Sequence, residues 1–527
     1  MKTDEIFSWR RESEPDGECC QEFAMIWVEE EMADCFRGNP VRKVCILRSA
    51  YFMKLSVSFS LLLCFCVFGV RPETRIAFTP YEEAKPILET LAEIIPAELR
   101  DARAGTREEV WNAWVIKRDK EIRARLAQGD ADSVVNFLMF GTSFTSAPRL
   151  NGEQIRALTT GMHETRENHD AASGRALLER REFDLARGMM APRGNERLDF
   201  ARKTIEGERI NFSQPEALQK AQEYLRENVE RVLREQAGFE QAMLEAKNLN
   251  DATEEFAEIS KLYKDRGLSL DTSMPPNFAI EEALRDMREK GLLAKDSIKR
   301  IGVIGPGLDF TDKHEGYDFY SVQTVQPFAV ADTLVRLGLA EADALKVDVL
   351  DLSPRILRHT EQMAAAAKQG RGYVIQLPMN PARGWQPQLV DYWKHFGDQI
   401  GDVAKPTAVP RTLQGIRLRA VRVRPQYARQ MKAYDVNVVL QRAEFLGDEE
   451  KFDLLIATNI LVYYDTFEQS LALGNIAAML KPGGFLLTNN LLLELPGSPL
   501  KSMGHTAIQY SAAQADGDTI VRYGRIR

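Results

Sequence analysis

Residues 452–490, FDLLIATNILVYYD, a helical interval and then LKPGGFLLTNN, constrain this chain's fold more than any other stretch. A buried apolar strand, Leu454 to Ala457, stops at polar Thr458 and Asn459. A Lys-Pro-Gly-Gly turn, Lys481 to Gly484, then launches a second apolar strand over Phe485 to Leu487. Apolar runs of this length, bounded by turn residues and joined through a helix, are strands of a parallel sheet covered on both faces.

The chain around that unit has 527 residues, enough for more than one core. It carries a net charge of −8, which sets it apart from nucleic-acid binders, whose footprint is basic. All six cysteines (Cys19, Cys20, Cys35, Cys45, Cys64 and Cys66) precede residue 70, so the body of the chain has no thiolate metal site, disulfide or cysteine nucleophile. In the same region Lys54 precedes the apolar run Leu55 to Val70 and polar RPETR, the layout of a secretory signal peptide or a short anchor. Residues 1–52 lack a hydrophobic period and read as an extension ahead of a start at Met53. A working signal at 53–70 implies export or membrane anchoring; without one the chain is cytoplasmic.

From Thr79 to Asp271 the pattern is helical, rich in Glu, Arg, Ala and Leu. Helices are expected at Pro80 to Leu99, Glu108 to Gln128, Gln154 to Glu164, Gly174 to Met189, Asn195 to Glu206, Gln214 to Gly238 and Asn250 to Lys264. Residues 71–266 thus read as an all-α domain and 267–277, GLSLDTSMPPN, as a linker, because Pro275-Pro276 cannot continue a helix. A helix from Phe278 to Lys290 opens the second domain, 278–527.

That domain begins with a strand, Ile301 to Ile304, ending in Gly305-Pro306-Gly307, where glycines let the backbone turn close to a ligand. A second strand, Lys346 to Asp351, ends in an acid followed by Leu352-Ser353-Pro354 and a helix. An acid at this point holds ribose hydroxyls in nucleotide-binding folds; Asp351 or Ser353 as a mere helix cap is the alternative. A third strand is read at Asn437 to Gln441, and a closing hairpin pairs Thr506 to Tyr510 with Thr519 to Tyr523.

In this order, the motifs IGVIGPGLDF, KVDVLDLSP, FDLLIATNILVYYD and LKPGGFLL resemble the class I S-adenosylmethionine-dependent methyltransferases over roughly 278–527. The resemblance implies a Rossmann-like, mostly parallel sheet of seven strands, S-adenosylmethionine as cofactor, and methyl transfer to an acceptor, small molecule or protein, that no motif names. It assigns cofactor contacts to Gly305, Gly307, Asp351, Ser353 and Asn459, and adenine contact to Glu444, just past the third strand. Asn459, Tyr463 and Tyr464, at the fourth strand's carboxyl end, fall nearest the methyl group; the alternative has the tyrosines packing inward. Asp309 stands where the family has a third glycine, and either takes the methionine amino group or caps a turn. NILVYYD is locally similar to the chemotaxis-receptor glutamate O-methyltransferases, but Thr458 replaces that group's arginine, which leaves protein-glutamate methylation second. A scaffold on the same fold that has lost catalysis is the rival reading. An NAD-dependent enzyme fits less well, since it wants an acid ~20 residues after the glycines.

Two insertions border the expected site. Thr311 to Gln326 is long for a loop of this kind, and its Tyr317, Phe319 and Tyr320 read either as a lid or as pins holding the loop down. His314, within it, is a candidate base. Gly372 to Tyr434 holds two strands, the second, Ile416 to Val423, with a basic stripe of Arg417, Arg419, Arg422 and Arg424. The stripe suits either an anionic substrate or a solvated face.

Overall fold

In a computed structural model, residues 74–160, 169–246, 266–311, 315–445, 447–512 and 516–526 are described. The expectations for 1–52, the apolar run at 53–70, the helix at Asn250 to Lys264 and His314 lie outside them. No helix among the described residues is long and apolar enough to cross a membrane.

Seven strands form the central sheet: β2 (Arg300–Ile304), β3 (Lys346–Asp351), β7 (Lys432–Asp435), β9 (Phe452–Ala457), β10 (Leu480–Thr488), β11 (Leu500–Gln509) and β12 (Gly517–Arg525). Their order is β11-β12-β10-β9-β2-β3-β7. The pairs β3·β7, β2·β3, β2·β9 and β9·β10 are parallel, and β12 alone runs against its neighbours. This is the Rossmann-like, mostly parallel seven-stranded sheet that the four motifs lead one to expect, closing hairpin included. Strand order reverses between β2 and β9, and in such sheets the crevice beyond the strands' carboxyl ends at that point receives the ligand.

Alternation along the strands splits their side chains between two buried layers. Leu454 and Ile456 of β9 belong to the core under α7 (Pro275–Glu289), α8 (Gln326–Arg336) and α9 (Pro354–Lys368). Leu455 and Ala457 face the other core, which holds α12 (Thr466–Met479), α1 (Tyr81–Thr90) and Trp111, Trp114 and Ile122 of α2 (Arg107–Phe140). Both faces are dry, which is why the strands read as unbroken apolar runs.

α2 continues past the sheet, and its Val134, Phe137 and Leu138 enter a third core with α3 (Gly152–Thr160), α4 (His169–Met190), α5 (Glu196–Gly207) and α6 (Ala217–Ala246). Asn195 caps α5, its side chain accepting from the Arg197 and Leu198 amides. Residues 74–527 cluster as a single compact unit. β1 (Arg75–Phe78), ahead of the helices, pairs antiparallel with β8 (Gln441–Glu444) of the sheet domain.

Three expectations need correction. The third strand of the parallel sheet is β7, not Asn437 to Gln441. Asn437 ends it: its Oδ1 accepts from the Val439 amide at 3.3 Å and its carbonyl from the Leu440 and Gln441 amides at 2.9 and 2.6 Å, so Val438 to Leu440 make a turn. Pro275 and Pro276 belong not to a linker but to the first turn of α7, where proline's missing amide costs nothing. The helix expected over Pro80 to Leu99 stops as α1 at Thr90. In the insertion, β4 (Tyr373–Met379), β5 (Gly401–Val403) and β6 (Arg417–Val423) form a separate antiparallel sheet in the order β4-β6-β5, with α10 (Pro387–His395) against it.

Candidate active site

Beyond β2 the chain turns through Gly305 and Gly307, whose φ values of 62° and 69° favour glycine. Space demands it too. A Cβ on Gly305 would strike the Ile460 side chain, and one on Gly307 would come within 2.7 Å of the Leu270 carbonyl. Gly305→Ala is expected to lower stability by about 1–3 kcal/mol, read from the urea midpoint. Adding Ile460→Ala should recover the steric share; a double variant no more stable than Gly305→Ala would remove that contact as the cause.

These glycines border a cavity of about 510 Å³ that also meets Asp351, Leu352, Val436, Val438, Ile460, Tyr463 and Tyr464. Asp351 ends β3 beside the glycine turn and is 6% exposed. Its Oδ1 accepts from the Ser353 amide at 2.7 Å, so it does anchor the start of α9, and it lines the cavity as well. Burial pushes its carboxyl up to about 7, against the pull of the Ser353 and Leu352 amides. Asp435 beside it pushes the same way, and the Arg123 guanidinium opposes. Arg123, from α2, is itself held by Asp435 at 2.7 Å and by the Leu352 carbonyl at 3.3 Å.

An adjoining chamber of about 460 Å³ shares Gly305, Gly307, Ser269, Leu270, Ile460 and Tyr463 with the first, and adds Asp271, Thr272, Gln326, Thr458 and Asn459. Asn459 has a φ of 59° and is held by a reciprocal pair: its amide donates to Asn489 Oδ1 at 2.8 Å, and Asn489 Nδ2 donates to Asn459 Oδ1 at 2.6 Å. Gln326, the first residue of α8, donates to Thr458 Oγ1 at 2.9 Å. Tyr463 closes a single helical turn and borders both chambers. Tyr464 is buried beneath the Arg125 guanidinium and meets the first chamber; α12 starts after it, with Asp465 as its cap. Burial holds the Tyr464 phenol above its ordinary range.

The structure therefore gathers Gly305, Gly307, Asp351, Asn459, Tyr463 and Tyr464 around two joined chambers. Ser353 is buried behind them, its amide on Asp351. Glu444 stands apart: it pairs with Arg75 in the two-stranded sheet and lies 3.9 Å from Arg442, and Val436 and Val438 border the cavity past β7 instead. Asp309 lines neither chamber but a third one nearby. Its Oδ2 accepts from Tyr320 Oη at 2.8 Å and Gln323 Nε2 at 2.9 Å, and burial lifts its carboxyl to about 6.

Residues 268–272 form a wall that the linker reading missed. The Leu308 amide donates to the Leu270 carbonyl at 2.8 Å, laying this segment on the glycine turn, and the Leu268 amide ties it to the Arg125 carbonyl of α2 at 3.2 Å. Leu268 and Leu270, apolar and two apart among polar neighbours, were the available sign of a half-buried extended segment.

The described part of the long loop, 315–326, is pinned rather than free. Asp318 accepts from the Thr142 and Ser143 amides and the Thr142 hydroxyl at 2.7–2.9 Å, Arg149 donates to the Gly316 carbonyl at 2.7 Å, and Tyr317 and Tyr320 are buried beside Leu413. The arginine stripe of β6 borders none of the three chambers. Arg419 and Arg424 instead donate to carbonyls of Trp393 and Gln399.

No protein-family model and no curated protein sequence matches the chain. Among solved structures it is similar to the N-methyltransferase NodS from Bradyrhizobium japonicum WM9, with 12% identity, 47% of this chain and 98% of that one covered, and a TM-score of 0.21. It is also similar to magnesium protoporphyrin IX methyltransferase from Synechocystis PCC 6803 with bound S-adenosylmethionine (9% identity, 53% and 86% covered, TM-score 0.22). A third is the glycopeptide N-methyltransferase MtfA complexed with S-adenosylhomocysteine (10% identity, 48% and 92% covered, TM-score 0.24).

Proposed function

We propose that the protein is an S-adenosylmethionine-dependent methyltransferase whose cofactor occupies the two joined chambers. One observation carries this reading. At the switch point of the sheet, a buried carboxylate (Asp351) and a glycine turn (Gly305, Gly307) share one cavity, and that cavity opens into a polar chamber at the end of β9. The donor set suits a nucleoside. Asp351 would accept from ribose hydroxyls, Leu352, Val436, Val438 and Ile460 offer apolar flanks for a flat base, and the glycine turn admits the chain that follows.

In-line displacement at a sulfonium methyl is the chemistry that S-adenosylmethionine supplies when bound: the acceptor's lone pair bonds to carbon as the carbon–sulfur bond breaks toward sulfur. The protein's share is to align the acceptor and exclude water. Asn459, fixed by Asn489, and Tyr463 border the chamber where an acceptor would approach. A proton held by the acceptor must leave with the transfer, and a carboxylate or solvent takes it.

Calorimetry with S-adenosylhomocysteine is expected to show one saturable site, and labelled S-adenosylmethionine to pass its methyl into a component of cell extract. No binding would end the proposal. Binding without transfer into protein or small-molecule fractions would leave the scaffold reading in its place.

A further inference from the structure

The third chamber shares Thr272 and Ser273 with the chamber that holds Asn459. Among the described residues its lining includes Asp309 and Glu315, contains no lysine, arginine or histidine, and is otherwise largely apolar, with Tyr317, Trp385, Met274 and Met379. The two carboxylates differ. Glu315 is paired with Arg383 at 3.0 Å across the rim. Asp309 is 5% exposed, and its Oδ1 has no hydrogen-bond partner among the described residues.

Among the described residues, the donors that reach Asp309 are already committed. Gln323 donates to Asp309 Oδ2 and to the Gln376 carbonyl, each at 2.9 Å, while its own carbonyl accepts from the Gln376 amide at 2.8 Å. Its amide is thereby locked to β4 and cannot turn to the second oxygen. The Tyr320 hydroxyl is committed to Oδ2 as well. Arg197 passes close by, yet its donors go to the Phe310, Tyr320 and Asp309 carbonyls. A buried carboxylate oxygen without a donor costs about 1–3 kcal/mol or more, a cost that a ligand's N–H relieves.

We infer that this chamber is the acceptor pocket, and that it takes a small-molecule amine on a flat apolar body, with the amine N–H donating to Asp309 Oδ1. The inference rests on the methyltransferase reading for the word acceptor. Its binding chemistry stands separately. Among the described lining residues an anionic ligand would meet two carboxylates and no cation, a combination that discriminates by charge as well as by fit.

Tryptamine and indole-3-propionate make a probe pair, with the same indole and opposite charge. On the full chain at pH 7.5, saturable binding of tryptamine is expected by calorimetry, at least 10-fold tighter than that of the acid. Asp309→Asn should weaken tryptamine at least 10-fold, and Met274→Trp, which puts a larger side chain on the chamber wall, should abolish it. Both variants should keep wild-type affinity for S-adenosylhomocysteine, which also shows that they fold. The inference is overturned if tryptamine fails to bind, if the acid binds as well, or if Asp309→Asn leaves tryptamine unaffected. Loss of S-adenosylhomocysteine binding by the wild type would instead overturn the cofactor reading, with the amine result still readable.

Discussion

Asp351→Asn is expected to weaken S-adenosylhomocysteine binding by about 100-fold or more, because two charge-assisted hydrogen bonds to ribose hydroxyls are each worth ~1.5–3 kcal/mol. The same change should make the ligand-free protein more stable above neutral pH, and the sign can be worked out. Burial raises the carboxyl from 3.8 in the ordinary state to about 7 in the folded chain. Between those values the folded state holds a proton that the unfolded state has released, so stability falls as pH rises from about 4 to about 7 and then levels off. The accumulated cost at pH 8 is on the order of a few kcal/mol, and Asn avoids it. Binding runs the opposite way. The ionised carboxylate is the better acceptor, so wild-type affinity should rise with pH, by up to about tenfold per unit, until it flattens near 7, while the Asn variant stays flat. Calorimetry at pH 5.5, 6.5 and 7.5, with urea melts beside it, reads both trends. Affinity independent of pH in the wild type, or an Asn variant that binds normally, would take Asp351 out of the site.

The contrast between Asp351 and Glu444 shows which parts of the site were legible in the chain. Asp351 follows a strand with a clean apolar period and precedes Ser353-Pro354, a helix-start signal, so its place at the tip of β3 follows from local rules. Glu444 was placed by counting from a strand that does not exist. β7 is only KAYD, four residues with two polar ends, whereas NVVLQ has the better strand composition. Asn437 decides between them through its own side chain, a choice that period and propensity do not register. The wall at 268–272 was hidden for another reason. Its burial comes from α2, more than a hundred residues upstream, and a composition of Gly, Ser, Asp and Thr reads as a linker until that helix is docked. The same distance separates the aromatic loop from what holds it, so pin and lid looked alike in sequence. Asp309 was visible only as a departure from a glycine. That it lines a third chamber, with its carboxylate held by Gln323, depends on Gln323 and Gln376, which come together through the inserted sheet.

Arg197→Met is expected to cost about 3–5 kcal/mol and to loosen the loop that carries Asp309. Arg197 is 3% exposed on α5, and its guanidinium donates to the Phe310 and Tyr320 carbonyls and, at 3.3 Å, to that of Asp309. Its only ion-pair partner among the described residues is the half-exposed Glu196 at 3.8 Å, too weak a contact to explain the burial of a cation. Its role follows from those carbonyls, which belong to residues outside any named strand or helix. Each buried acceptor left without a partner costs about 1–3 kcal/mol, and relaxation recovers part of the sum. Methionine keeps an apolar stem of similar length while removing the guanidinium that lies over the Phe310 ring, so the loss reads the head group more than the stem. The charge matters for Asp309 as well, since Arg197 is the cation that opposes its burial-driven rise. Without it the Asp309 carboxyl should take up a proton at still higher pH, and tryptamine binding should need a more alkaline solution. Arg202→Met on the same helix, which breaks an exposed pair with Glu206 and a guanidinium contact over the Phe212 ring, is the control and should cost no more than about 1 kcal/mol. Urea midpoints compare the two, and hydrogen exchange should quicken over 309–322 in the Arg197 variant alone. A cost below about 1 kcal/mol, or exchange in that loop as slow as in the wild type, would mean that the helical segment rests against the site without holding it.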